Sequence, residues 1–435
     1  MKKDTTIVEI NSYLLLLLSF FITVSVYITD VIILLLFISW FFNGNLKKKI
    51  KSILKDPLLY PSICFFIYSV ISYSWSDSSI INNTMQKQIL LLLLPVLYTL
   101  DYKDTYIEKA KKTFILGLIL NTILSVFTLF SPTNIFFKKG HYDSNLFLHG
   151  FLDHFDYAIF LCFGIFLLLS FIEKRNFLTY FTLIIIFLIA LLNSYGRVGI
   201  ISLLVFLPII ILLQQSKNKY YSLVGLFFII IFSYYIFAPF QNRIHQTISS
   251  VKLIYNDLTF QEKVENDAAY MAMMHDTLSK EYFINEILKN KDWSASIEKK
   301  SNRYQTSIGQ RYLYIKNSLV LLKQQPVLGI GSNQFEVFYT TIYPNVKPLK
   351  HPHNNYIFIL IELGIVGLGI MLYIFYKKIL IFFSTNKKDF LKLIFPLFFL
   401  WIMLFDNYFL NHNTLVFFCL FSFILYSKES IYNQS

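Results

Sequence analysis

Arginine is scarce in this chain, and its few positions are informative. Arg175, Arg197, Arg243, Arg303 and Arg311 are the only arginines among 39 basic residues. Lysine supplies every other positive charge. A position that keeps the planar, two-pronged guanidinium is therefore a candidate for bidentate recognition of an oxyanion. Arg197 is the sharpest case. It lies in Asn193-Ser194-Tyr195-Gly196-Arg197-Val198-Gly199, between two apolar runs with almost no polar spacer. An arginine at membrane depth is costly and by default faces a cavity or an anion. Arg311 follows Gly309-Gln310 at the head of an amphipathic segment, and Gln325-Pro326-Val327-Leu328-Gly329-Ile330-Gly331 closes that segment. The proline and the two glycines end a helix sharply and permit a tight turn. Gly329-x-Gly331 lacks a following Lys-Ser/Thr, so it is no phosphate-binding P-loop.

A second cluster is His351-Pro352-His353-Asn354-Asn355, directly before an apolar helix beginning near Tyr356. Backbone N–H groups at a helix start favour anions. A His-x-His pair is also a zinc motif, but no cysteine and no His-Glu-x-x-His accompanies it, and no Asp-x-Asp pair occurs in the chain. The site is read as metal-free and without a cofactor. Farther along, Glu362 precedes Gly364 and Gly367 inside an apolar run. Glycines so placed usually serve helix packing.

The elements that must position these residues are membrane helices. Of the 435 residues, 55% are hydrophobic, 18% aromatic and 15% charged, with a mean hydropathy of +0.54. A soluble domain carries about 25% charged residues, and a helix crosses a bilayer with roughly 17–25 apolar ones. A soluble enzyme, a DNA-binding protein and a disordered chain are thereby excluded. Twelve spans are expected, near 11–28, 30–43, 57–74, 86–101, 113–130, 157–172, 177–192, 198–214, 222–238, 354–374, 391–406 and 414–427. The first apolar run is followed by no small-residue cleavage site and is read as a retained helix.

The net charge of +13 comes from short lysine clusters between apolar runs, such as Lys47, Lys48, Lys49, Lys51 and Lys55, or Lys377, Lys378, Lys387 and Lys388. This is the pattern of cytoplasmic loops under the positive-inside rule, not of nucleic-acid binding. It places both termini inside. All eight histidines and four of the five arginines then face outward, where they imply a site for an anionic substrate. Cys64, Cys162 and Cys419 are far apart within apolar runs and read as small core residues. The organisation expected is helices one to nine over 1–238, a polar helical cap over 239–353, and three closing helices with a tail over 354–435. The cap contains helix-like stretches at 276–290 and 308–323.

These residues resemble the O-antigen ligase and O-antigen polymerase superfamily, membrane enzymes that move lipid-linked glycans. The ligase signature is His, then Asn, Ser or Gln, nine residues, Gly, two residues, and Gly, Thr or Tyr. It is matched by His353, Asn354, residues 355–363, Gly364 and Gly367. Arg311, Pro326, Gly329, Gly331 and Phe335 resemble the family's conserved-loop pattern. Arg197 matches a membrane-edge arginine after a serine, with Tyr195 and Gly196 intervening.

The resemblance implies an all-α polytopic, GT-C-like fold with a large periplasmic loop, in a bacterial inner membrane with the active site periplasmic. The donor would be a glycan on undecaprenyl pyrophosphate and the acceptor a sugar hydroxyl of the lipid A-core. The leaving pyrophosphate gains charge as the glycosidic bond breaks, and preorganised guanidinium groups stabilise that charge most in the transition state. Arg197 and Arg311 are assigned this role. His353 is the expected general base, with Asn354, His351, Arg303 and Asp406 as supporting candidates. Two alternatives differ in kind. An O-antigen polymerase would use the same donor but extend the lipid-linked repeat. A transporter of lipid-linked glycan would be expected to show inverted repeats and charged residues inside several spans, whereas the sequence shows no such repeats and its polar chemistry lies at the outer surface.

Overall fold

The protein was analysed as a computed structural model, which describes residues 2–76, 87–130, 151–172, 177–194, 196–213, 219–256, 258–274, 278–299, 304, 306–343, 349–385 and 389–427. Among the described residues helices joined by turns and short loops make up the fold, with no β-strand. The helices are α1 (Lys2–Phe21), α2 (Val26–Phe42), α3 (Leu46–Lys55), α4 (Tyr60–Ile71), α5 (Leu93–Thr99), α6 (Asp104–Phe130), α7 (His154–Ile172), α8 (Phe177–Leu192), α9 (Arg197–Leu213) and α10 (Lys219–Ile236). They continue as α11 (Ala238–Tyr255), α12 (Phe260–Met274), α13 (Lys280–Lys289), α14 (Lys291–Lys299), α15 (Ser307–Leu321), α16 (Phe335–Ile342), α17 (Asn355–Ser384), α18 (Phe390–Ile402) and α19 (His412–Tyr426).

By length and composition, α6, α7 and α17 can each cross a membrane, and α2 with α3 would count as a fourth span bent by 110°. Other apolar runs form helices of 10–17 residues, among them α8, α9, α18 and α19. The chain divides into two compact units, Met1–Phe240 with Val320–Ser435, and Gln241–Leu319. The smaller unit has its own core, in which Val264, Ala268, Phe283, Ile287 and Ile297 bring α12, α13 and α14 together. The helix-like stretches expected at 276–290 and 308–323 appear there as α13 and, across the unit boundary, α15.

The larger unit is built around α19, in which every residue from Asn413 to Tyr426 is buried. A helix that is apolar on all sides belongs in a core. Its rings interlock with those of α6, α7 and α18: Phe421 lies 4.9 Å from both Phe114 and Phe163, and Phe417 lies 4.9 Å from Phe160. The two Phe421 pairs are edge-to-face, a geometry that adds to area burial. Lys378 departs from the loop assignment made from its lysine cluster. It lies inside α17, fully buried, with Nζ 5.0 Å from the Phe418 ring centre and 5.9 Å from that of Tyr426. Cys64 also departs from its reading as a core residue, since it is exposed while Cys162 and Cys419 are buried.

One feature of α17 shapes the site. At Gly364 the helix takes φ 64° and ψ −170°, which breaks its hydrogen-bond ladder. The segment around Pro326–Gly331 is sewn into that break. Ile330 N donates to Ile361 O at 2.9 Å, Gly331 N to Glu362 O at 2.9 Å, and Ile365 N to Pro326 O at 3.0 Å. A Cβ at Gly364 would stand 2.0 Å from Val327 O, and one at Gly329 would stand 2.3 Å from Glu362 O. Both glycines also have positive φ, so only glycine satisfies these positions. Gly364 is thus a chain break that receives the Pro326–Gly331 segment, not a helix-packing residue. Below the seam, the buried Glu362 carboxylate accepts the N–H of Phe335 at 3.3 Å, with those of Asn333 and Gln334 also directed at it. Gly364→Ala is expected to cost about 3 kcal/mol or more through backbone strain and the carbonyl clash. A thermal melt of the purified protein in detergent would measure it, and an unchanged melt would contradict the seam's role.

Candidate functional site

Three asparagines fix where His353 sits. The Asn354 side chain caps α17 by accepting from Ile357 N at 3.1 Å, and its Nδ2 donates to Leu404 O at 3.0 Å. Asn355 N donates to Met403 O at 2.9 Å, its Oδ1 accepts from Phe409 N at 3.0 Å, and its amide bonds that of Asn407. The start of α17 is thereby tied to the turn between α18 and α19. His353 itself adopts φ 54°, a left-handed conformation uncommon outside glycine.

That turn delivers Asp406. Both carboxylate oxygens of Asp406 lie 3.1 Å from His353 Nδ1. An ionised carboxylate only accepts, so this contact makes Nδ1 the protonated ring nitrogen and gives the lone pair to Nε2. His351 completes the group, its Nδ1 3.7 Å from Asp406 Oδ1 and its ring centre 4.6 Å from that of His353. The Asp406 side chain is 14% exposed, and those of His351 and His353 are 30% and 28% exposed. The pair is therefore shielded but reachable.

A cavity of about 220 Å³ opens beside it, lined by Lys87, Asp153, Phe155, Asp156, His351, His353, Asp406, Asn407, Tyr408 and Asn411. Asp156, 2% exposed in the first turn of α7, accepts from Asn411 Nδ2 at 3.1 Å and Asn413 Nδ2 at 2.6 Å. The cavity wall thus mixes one lysine with three carboxylates, two histidines and two amides, a lining suited to a hydroxyl-rich ligand. Lys87, Asp153 and Asp156 were not singled out by the sequence reading. The available signal was an acid directly before an apolar run, in a chain that also carries the asparagine-rich stretch Asn407 to Asn413.

Arg197 opens α9 at the same end of α7. A Cβ on Gly196 would lie 2.1 Å from that of Ala158 and 2.9 Å from His154 O, and one on Gly199 would lie 2.5 Å from Ala158 O. The two glycines let α9 press against the turn that carries Asp156. Arg197 is half-buried there but does not line the cavity. Arg311 lies half-buried near the start of α15 in the smaller unit, where Gly309 N donates to Thr306 Oγ1 at 3.0 Å. Arg303 lies outside the described residues.

The structure therefore brings His351, His353, Asn354 and Asp406 together. Among the described residues, His351, His353 and Asp406 also form a group of potential metal ligands, with ligand atoms within 4.8 Å of one another. The 3.1 Å separation of His353 and Asp406 is that of a direct hydrogen bond.

The region that matches a known family contains His351, His353 and Asn354. A family model described as O-antigen ligase matches residues 181–372. The chain carries an O-antigen ligase domain. The domain runs from within α8 to within α17, and so includes Arg197, Arg311, the Pro326–Gly331 seam and His353. Asp406, Asp156 and Lys87 fall outside the matched ligase domain and come to it through folding. No curated protein matches the chain. Members of the matched family are glycosyltransferase-like enzymes of lipopolysaccharide synthesis, and the match together with the apolar helices points to an integral membrane protein.

Proposed function

We propose that the protein is an O-antigen ligase. It transfers a glycan from undecaprenyl pyrophosphate to a sugar hydroxyl of the lipid A-core, on the periplasmic side of a bacterial inner membrane crossed about twelve times. The observation that carries the reading is the His353–Asp406 pair, 3.1 Å apart at the rim of a polar cavity, with His353 inside the region that matches the O-antigen ligase family. Asp406 orients the imidazole, and Nε2 takes the proton from the acceptor hydroxyl as its oxygen attacks the anomeric carbon. The bond from that carbon to the pyrophosphate breaks on the opposite face, which inverts the centre. Arg197 and Arg311 stabilise the departing lipid pyrophosphate.

Two experiments test this reading. Purified protein with lipid-linked glycan and lipid A-core is expected to transfer in the presence of EDTA at an undiminished rate. A metal-restored loss would instead assign His351, His353 and Asp406 to an ion. In cells, deletion of the gene is expected to leave lipid A-core without O-antigen while lipid-linked polymer accumulates. A single repeat still attached to lipid A-core would identify a polymerase.

A further inference from the structure

Helix α3 is set apart from everything the transfer reaction uses. It turns 110° away from the apolar α2. Gly44 at φ 78° makes the corner, and the Asn45 side chain caps the new helix by accepting from Lys47 N at 2.9 Å. Its sequence, Leu46-Lys47-Lys48-Lys49-Ile50-Lys51-Ser52-Ile53-Leu54-Lys55, sorts cleanly around the helix. Ile53 is 5% exposed and holds α3 to the protein, while Lys49 Nζ donates to the carbonyls of Trp40 and Asn43. Those two residues face inward.

The outward face has two rows. Leu46, Ile50 and Leu54, spaced four apart, are 38%, 49% and 62% exposed, and Phe41 and Phe42 at the end of α2 extend the exposed apolar surface. Lys47, Lys51 and Lys55 form the neighbouring row, all exposed and in no ion pair among the described residues. An apolar row facing water is a liability, whereas one lying in a membrane interface sinks to the acyl boundary and leaves adjacent lysines at the level of the headgroups. A soluble anion would satisfy the lysines but leave Leu46, Ile50 and Leu54 exposed. We propose that α3 is an interfacial anchor whose Lys47, Lys51 and Lys55 bind the phosphates of anionic phospholipids.

The test uses the full-length protein in detergent micelles carrying equal amounts of phosphatidylglycerol and phosphatidylcholine, with retained lipid measured by mass spectrometry. The wild type is expected to enrich phosphatidylglycerol. The triple variant Lys47→Gln, Lys51→Gln, Lys55→Gln should lose at least ten-fold of that enrichment, since each lysine near an anionic surface contributes about five-fold. The arginine counterpart at all three positions should retain it. Should the glutamine variant fail to fold, a salt titration of the wild type replaces it, because the preference must weaken as sodium chloride shortens the screening length. Equal retention of the two lipids, retention unchanged by the triple variant or by salt, or displacement by inorganic phosphate would each overturn the proposal. The last result would mark a soluble-anion site.

Discussion

Replacing His353 with asparagine is expected to lower glycan transfer by about 10²–10⁴-fold, the usual worth of a positioned general base. Asparagine is the informative substitute because it tolerates the left-handed backbone, at φ 54°, better than most residues. A loss of activity then reports chemistry and not a displaced loop. Asp406→Asn should follow with a fall of comparable order. An amide presents both a donor and an acceptor to Nδ1, so it no longer selects the tautomer with its lone pair on Nε2. Both variants should bind the lipid donor with a KM within about three-fold of wild type, because neither side chain is asked to hold it. The double variant should be little worse than either single one, since the two residues act as a unit. Transfer retained above a tenth of wild type in His353→Asn would remove the base from this position.

What could be read from the residues follows how far apart in the chain the contributing parts lie. His353 and Asn354 were legible because the family spacing is local, and α15 and the closing turn around Gly329 were legible from helical periodicity and breakers. The meaning of Gly364 was not. A glycine in an apolar run has the same pattern whether it packs a helix or breaks it, and only the arrival of Val327 O decides. Asp406 ranked low because its partner is 53 positions away. Asp156 was read as the end of a loop because the apolar run begins after it, although its carboxylate is satisfied by Asn411 and Asn413, about 255 residues on. Lys378 was grouped with its charged neighbours, and nothing in its sequence context distinguishes a lysine over Phe418 and Tyr426 from one in water. The cap was expected over 239–353, and within it Gln241–Leu319 forms a compact unit of its own. The stretch after it is held by backbone bonds to Ile361 and Glu362, which no composition shift announces.

The arginines separate leaving-group stabilisation from acid–base work. Arg311→Ala and Arg197→Ala are each expected to reduce transfer by about 10²–10³-fold, the usual cost of removing one preorganised donor from a developing oxyanion. Lysine at either position should recover only part of that, because a point charge on a flexible stem replaces two parallel N–H bonds. The loss should fall mainly on kcat, since the pyrophosphate gains charge as the bond breaks and the contact strengthens at that moment. Arg197 carries a second expectation from its setting. The Gly196 and Gly199 contacts with Ala158 fix the backbone of α9 independently of the arginine side chain, so Arg197→Ala should melt within a few degrees of wild type while losing activity. Gly196→Val should instead lose both, because its side chain would be driven into Ala158. A matched loss of stability in Arg197→Ala would make that residue a strut of the α7–α9 packing, and the charge on the leaving group would then fall to Arg311 and to Lys87 at the cavity wall.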